Sequence, residues 1–150
     1  MRLKALAFSI FVVLSVLAGC ANGNQAGDDI KQRTYQVETN FNDYTNDELD
    51  IDLFKEIINS FSADEWDFMV LSTDKPINDC TFIQAGAPQE IVDFQYVVEV
   101  GINNKKSGLR VYRMYTEDKN EVLQYFVDYW KEQKIPDISS WSDVTDEIWG

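Results

Sequence analysis

Histidine is absent from all 150 residues. That excludes Ser-His-Asp and Cys-His nucleophile systems, His-ligated zinc, and the side chain that most often moves protons near neutral pH. Cysteine is nearly absent, with only Cys20 and Cys80, so at most one disulfide could form. Positive charge is scarce: 13 Lys and Arg face 26 Asp and Glu, a formal net charge of −13. Such a chain repels nucleic acid and anionic headgroups, and no nucleic-acid partner is expected. Long apolar runs are missing as well. The one extended stretch, Ala5 to Gly19, is fifteen residues. A helix of that length reaches about 22 Å, short of the roughly 30 Å hydrocarbon core. Internal repeats and low-complexity tracts are also absent.

What is there begins at the N-terminus. Arg2 and Lys4 precede the apolar stretch, which closes on small residues, the layout of a secretory signal peptide. The ending Leu17-Ala18-Gly19-Cys20 resembles the lipobox of bacterial lipoproteins. The resemblance covers residues 1–20 alone. It implies removal of residues 1–19, lipid on the Cys20 sulfur, and a domain tethered to a membrane of the bacterial cell envelope on its extracytoplasmic side. Two or more acyl chains would make the anchor lasting. Loss of Arg2 and Lys4 takes the net charge from −13 to −15. With Cys20 lipidated, Cys80 has no partner and reads as a small buried hydrophobe. Residues 20–30 have no large apolar side chain before Ile30 and read as a flexible tether, roughly 17 Å end to end. Residues 31–150 then form one domain of ordinary size.

Within that domain, Tyr35 and Val37 alternate with polar residues, as in a short edge strand. Thr45-Asn-Asp-Glu48 fits a capping box. Leu49, Leu53, Phe54, Ile57, Ile58 and Phe61 recur at helical spacing behind it, which predicts a helix over 46–61. Trp66–Ser72 reads as a buried strand, ended by a turn at Asp74-Lys75-Pro76. Thr81–Ala85 is a second strand, ended by Gly86-Ala87-Pro88. Val92, Phe94, Tyr96, Val98 and Val100 alternate through a third strand over 91–102. Leu109–Tyr115 forms a fourth, joined to the third as a hairpin through Asn103–Gly108. Thr116-Glu-Asp118 opens a helix over 117–133, with Pro136 ending it. Trp141, Val144 and Ile148 suit a short helix docked on the core. The expected fold is α+β, in two layers. A sheet of about four antiparallel strands is covered on one face by an N-terminal and a C-terminal helix, and the other face is wet.

The catalytic patterns the chain touches do not close. Ser72-Thr-Asp-Lys75 matches Ser-x-x-Lys, but the accompanying Ser-Asp-Asn and Lys-Thr-Gly elements are missing and Pro76 follows. Asp50 and Asp52, with Asp47 nearby, lack the glycine and glutamate of a calcium loop and diverge on a helix. Acid pairs for glycoside chemistry arise by chance among 26 carboxylates. No enzyme activity, metal or cofactor is expected.

The aromatic content is what remains. Four tryptophans and seven tyrosines suit surfaces where an apolar body is buried and a polar tip stays wet. Tyr112, Tyr125, Tyr129, Trp141 and Trp149 are the candidate binding surface, since Tyr125 and Tyr129 lie four apart beside the Phe126/Trp130 stripe. The alternative, that these rings fill the core or its rim, stays open. The expected function is a tethered binding module for a protein or peptide, basic by charge complementarity; immunity-type neutralisation of an exported toxin is one version. A structural envelope lipoprotein, or a small-ligand or glycan platform, are the other readings.

Overall fold

A computed structural model of the chain describes residues 32–62, 67–88 and 95–149. The signal segment, Cys20 and the tether lie outside the described residues. So do Trp66, the expected strand start through Val92 and Phe94, and the side chain of Trp149.

The described residues build an α+β architecture. Seven strands form an antiparallel sheet: β1 (Tyr35–Thr39), β2 (Asp43–Thr45), β3 (Phe68–Ile77), β4 (Cys80–Gly86), β5 (Tyr96–Asn104), β6 (Gly108–Thr116) and β7 (Ser142–Asp143). Their order is β2-β1-β3-β4-β5-β6-β7, so every consecutive pair of strands is adjacent except β2 and β3: β3 pairs with the far side of β1. Three helices accompany them: α1 (Ile51–Ser60), α2 (Lys119–Val127) and α3 (Thr145–Trp149).

The sheet is larger than the four strands expected. β1 is not an edge, because β2 folds back along it with Val37 opposite Tyr44. β2 and β7 are three and two residues long, too short to leave a periodic signal. β3 runs through Asp74-Lys75-Pro76, where its pairing with β4 shifts register, and reverses only at Asn78-Asp79. Those two residues hold φ of 47° and 65°. Positive φ at both central positions is what a type I′ hairpin needs, and Asn and Asp tolerate it.

The first helix also starts late. The Glu48 carboxylate accepts from the Thr45 N–H and hydroxyl at 2.8 Å, but this closes only a single 3₁₀ turn, Asn46–Glu48. Leu49 returns to extended backbone and is buried, and Asp50 then caps α1 by accepting from the Leu53 N–H at 2.7 Å. At the other end, α2 is capped by Asp118 rather than Thr116. It widens into a π-helical turn at Asp128–Glu132 and stops at Gln133, which is left-handed at φ 50°. The helix is over before Pro136.

Alternation sorts the strands onto two faces. Val37, Met69, Leu71, Ile83, Val98 and Val100 point to one side and are buried against Phe54, Ile57 and Ile58 of α1 and Val122 and Phe126 of α2. Phe54 meets the Phe126 and Trp130 rings at 6.1 and 5.4 Å, tying the two helices together. The opposite face is not wet throughout. Phe82, Val111 and Val144 bury a second cluster there, with Val70, Leu109 and Ile148 packed on it. Trp141 packs instead against the first cluster, so Trp141, Val144 and Ile148 are not one helical stripe. The chain crosses the sheet edge between them, as β7.

Candidate binding surface

The expected contact residues separate into three groups. Tyr125 and Trp141 come together, their rings edge to face at 5.7 Å and both half-buried. Tyr125 donates its hydroxyl proton to Glu121 Oε1 at 2.8 Å, while Glu121 Oε2 accepts from the Thr116 hydroxyl at 2.7 Å. Burial, and then the Glu121 carboxylate, push the Tyr125 phenol up to about 12. The ring is therefore fixed and neutral. Tyr112 lies on the same face of β6, between Val100 and Asp143 in register, and is half-buried against the large core. Tyr125 and Trp141 thus make a small aromatic rim near the β6–β7 end of the sheet, and Tyr112 packs on the same core separately.

Tyr129 is not part of it. Its side chain is fully enclosed, and its hydroxyl donates to the Cys80 carbonyl at 3.2 Å. The reason is spacing: Val122, Phe126 and Tyr129 stand at i, i+4 and i+7, so Tyr129 continues the buried stripe rather than Tyr125's. The Tyr35 ring meets it edge-on at 6.2 Å. Trp149 is the last residue of α3, and its side chain is outside the described residues.

Several residues weighed for chemistry have structural work. Asp50 caps α1, and Asp52 sits 3.2 Å from Lys55 on its exposed side. Ser72 and Lys75 are both on β3, with no helix start beneath the serine. Cys80 is enclosed, with its thiol proton directed at the Phe82 carbonyl, and burial pushes it up to about 12. It is a packed hydrophobe and not a nucleophile.

Two features escaped sequence reading. The first is a buried polar chain across the second face. Gln84 Nε2 donates to Glu99 Oε2, Arg113 Nε donates to Glu99 Oε1 at 2.6 Å, and Arg113 Nη1 reaches Glu147 Oε2 at 3.0 Å. Glu99 is 2% exposed, and burial holds its carboxyl above the ordinary range against the pull of Arg113. With Arg110 on Asp143 at 2.6 Å, this chain clamps β7 and α3 to β6. Among the described residues no buried side-chain polar atom lacks a partner. The network's buried polar atoms are satisfied within the chain, while Glu147 at its end stays exposed.

The second is the β1–β2 turn. Phe41 is 72% exposed, the only large hydrophobic so placed among the described residues. Its turn is held firmly. The Thr39 hydroxyl accepts from the Phe41 and Asn42 N–H groups and donates to the Asn42 carbonyl at 2.8 Å. The Asn40 amide donates to Asp67 Oδ1 at 2.8 Å, and Asp67, itself buried, accepts the Ser62 N–H at 2.9 Å. The signal was present in Asn40-Phe41-Asn42-Asp43, where an aromatic stands alone in a turn composition.

No cluster of three or more His, Cys, Asp or Glu residues suited to a metal occurs among the described residues. None of their helices is long and apolar enough to cross a membrane. No protein-family model, curated protein or solved structure matches the chain.

Proposed function

We propose that this chain is a lipid-tethered, extracytoplasmic binding module for a cationic protein or peptide. The observation that carries the reading is the excess of 26 acidic over 13 basic residues, much of it at the surface. Lys55, Lys75, Arg110 and Arg113 are already paired with carboxylates of the same chain. Glu56, Asp79, Glu117, Asp146 and others stand exposed. A surface of this kind raises the encounter rate with a positive partner and discriminates against negative ones. The anchor rests on the lipobox resemblance at Leu17–Cys20, and the absence of histidine and of a reactive thiol argues against an enzyme. The fold suits this role, since α1 and α2 cover one face of the sheet while the turns stay presented.

Two experiments test the two halves. Cys20→Ala should move the protein from the detergent phase to the aqueous phase in phase partitioning; unchanged partitioning would contradict the tether. Affinity capture from envelope and culture-medium extracts should retain a basic protein at low salt and release it at high salt. Retention of nothing at either salt would contradict the binding module.

A further inference from the structure

We propose that the β1–β2 turn is the anchor of that interaction: Phe41 packs among apolar side chains of a cationic protein or peptide, while a partner Lys or Arg bridges Glu38 and Asp43. This rests on the cationic-partner reading and names the surface that would serve it. Three observations converge on the turn. Phe41 is the only large hydrophobic left in water among the described residues, at 72% exposure. A lone exposed apolar side chain is ordinary, but this one sits on a turn fixed by the Thr39 hydroxyl and by the buried Asp67 through Asn40. A ring presented from a pre-ordered turn loses little freedom on docking, and aromatic anchors dominate interface energetics.

Charge supplies the second argument. Glu38 and Asp43 are directly opposite across β1 and β2. Thr39 donates its N–H to the Asn42 carbonyl at 2.9 Å, which makes the neighbouring Glu38–Asp43 pair the non-hydrogen-bonded kind. Side chains are closest there, with Cα atoms about 4.5 Å apart, and like charges so placed oppose one another. Neither carboxylate has a cationic partner among the described residues, and Glu38 is half-buried, its carboxyl raised by burial and by Asp43. A single cation between them would relieve both effects.

The third is the state of the strand edge. The Thr45 N–H, on the outer side of β2, is occupied by the Glu48 carboxylate at 2.8 Å. With one of its outward N–H groups taken and only three residues in the strand, β2 is a poor template for strand addition, which favours recognition at this edge through side chains. The aromatic rim of Tyr125 and Trp141 lies at the other end of the sheet, on the opposite face. From β1 to β6 is four strand spacings, about 19 Å, which keeps the two surfaces separable in a test.

The probes are two synthetic peptides of equal positive charge, one of alternating Lys and Leu, the other of Lys and Gly. Their affinities for the full chain in non-ionic detergent are measured at low and high salt, against Phe41→Ala and Glu38→Gln/Asp43→Asn variants. Phe41 is exposed, so its replacement leaves the fold intact. The proposal expects Phe41→Ala to weaken the Lys-Leu peptide about ten- to a hundredfold, the range for an aromatic removed from apolar contact, and to spare the Lys-Gly peptide. The double carboxamide variant should weaken both peptides and flatten their salt dependence. If both variants bind the Lys-Leu peptide like the native chain, the anchor is overturned and the cationic-partner reading stands. If neither peptide binds the native chain at low salt, both are overturned.

Discussion

Gly101→Ala should destabilise this protein, although alanine is the better strand residue. The Phe82 ring packs against Gly101, and a Cβ added there would stand 2.2, 2.6 and 2.7 Å from three of its ring carbons. Ordinary carbon contacts need about 3.5 Å, so the ring must retreat by roughly 1 Å. It has little room, being 5% exposed and packed in the second cluster with Val111 and Val144. Overpacking of this kind costs about 1–3 kcal/mol, and relief of glycine's backbone entropy returns about 0.5–1 kcal/mol. The net loss centres on about 1 kcal/mol, a fall in Tm of roughly 3–5 °C for a domain of this size. Urea unfolding followed by tryptophan fluorescence would measure it. The same substitution in a Phe82→Leu background should cost less than half as much, because the clash partner has gone. A Gly101→Ala protein as stable as the native one, or an equal loss in both backgrounds, would refute the reasoning.

Other outcomes follow from single contacts. Tyr129→Phe removes a hydroxyl bond to the Cys80 carbonyl inside the core and should cost about 1 kcal/mol in denaturant unfolding, whereas a surface tyrosine would cost nothing. Asp67→Ala strands the Asn40 amide and the Ser62 N–H and should cost about 2 kcal/mol, together with faster hydrogen exchange at Phe41 and Asn42. Cys80 should resist thiol reagents at mildly alkaline pH in the native protein and react once it is unfolded, as mass mapping of the labelled residue would show. The Thr145 hydroxyl and N–H and the Arg110 guanidinium hold the Asp143 carboxyl down at about 2, below its usual 3.8. A depressed folded pKa gives stability that is present above the unfolded value and lost as pH falls through the folded one. Acid titration of stability should therefore lose this contribution between about pH 4 and 2, and Asp143→Asn should flatten that stretch of the curve.

How much of this was legible varied with the kind of signal. The α1 stripe of Leu53, Phe54, Ile57 and Ile58 and the alternation of Val98 and Val100 were readable because several residues repeat one period. The hairpin between β5 and β6 followed from a polar loop between two such runs. β2 and β7 were not readable, since two or three residues carry no period. Pro76 suggested a turn, yet it sits on a bulged stretch of β3, and the real reversal at Asn78-Asp79 is marked only by tolerance of positive φ. Tyr125 and Trp141, two of the five aromatics offered as a contact surface, meet ring to ring and are half-buried, a contact between α2 and the C-terminal segment that no local period contains. Tyr129 was misplaced because spacing of four to Tyr125 was weighed above spacing of three to Phe126. Glu99 alternated with valines as a wet-side residue should; its burial depends on Arg113, Gln84 and the returning C-terminus, which no local pattern contains. Phe41 stood in plain view in a polar turn, and only its exposure gives it meaning.

The most direct test of the account is a nuclear magnetic resonance titration of the isotope-labelled full chain with the Lys-Leu peptide at low salt. The account predicts shifts concentrated at Thr39–Thr45 and in the Phe41 ring, collapsing when salt is raised. Shifts confined to Tyr112, Tyr125 and Trp141, or none at all, would contradict it.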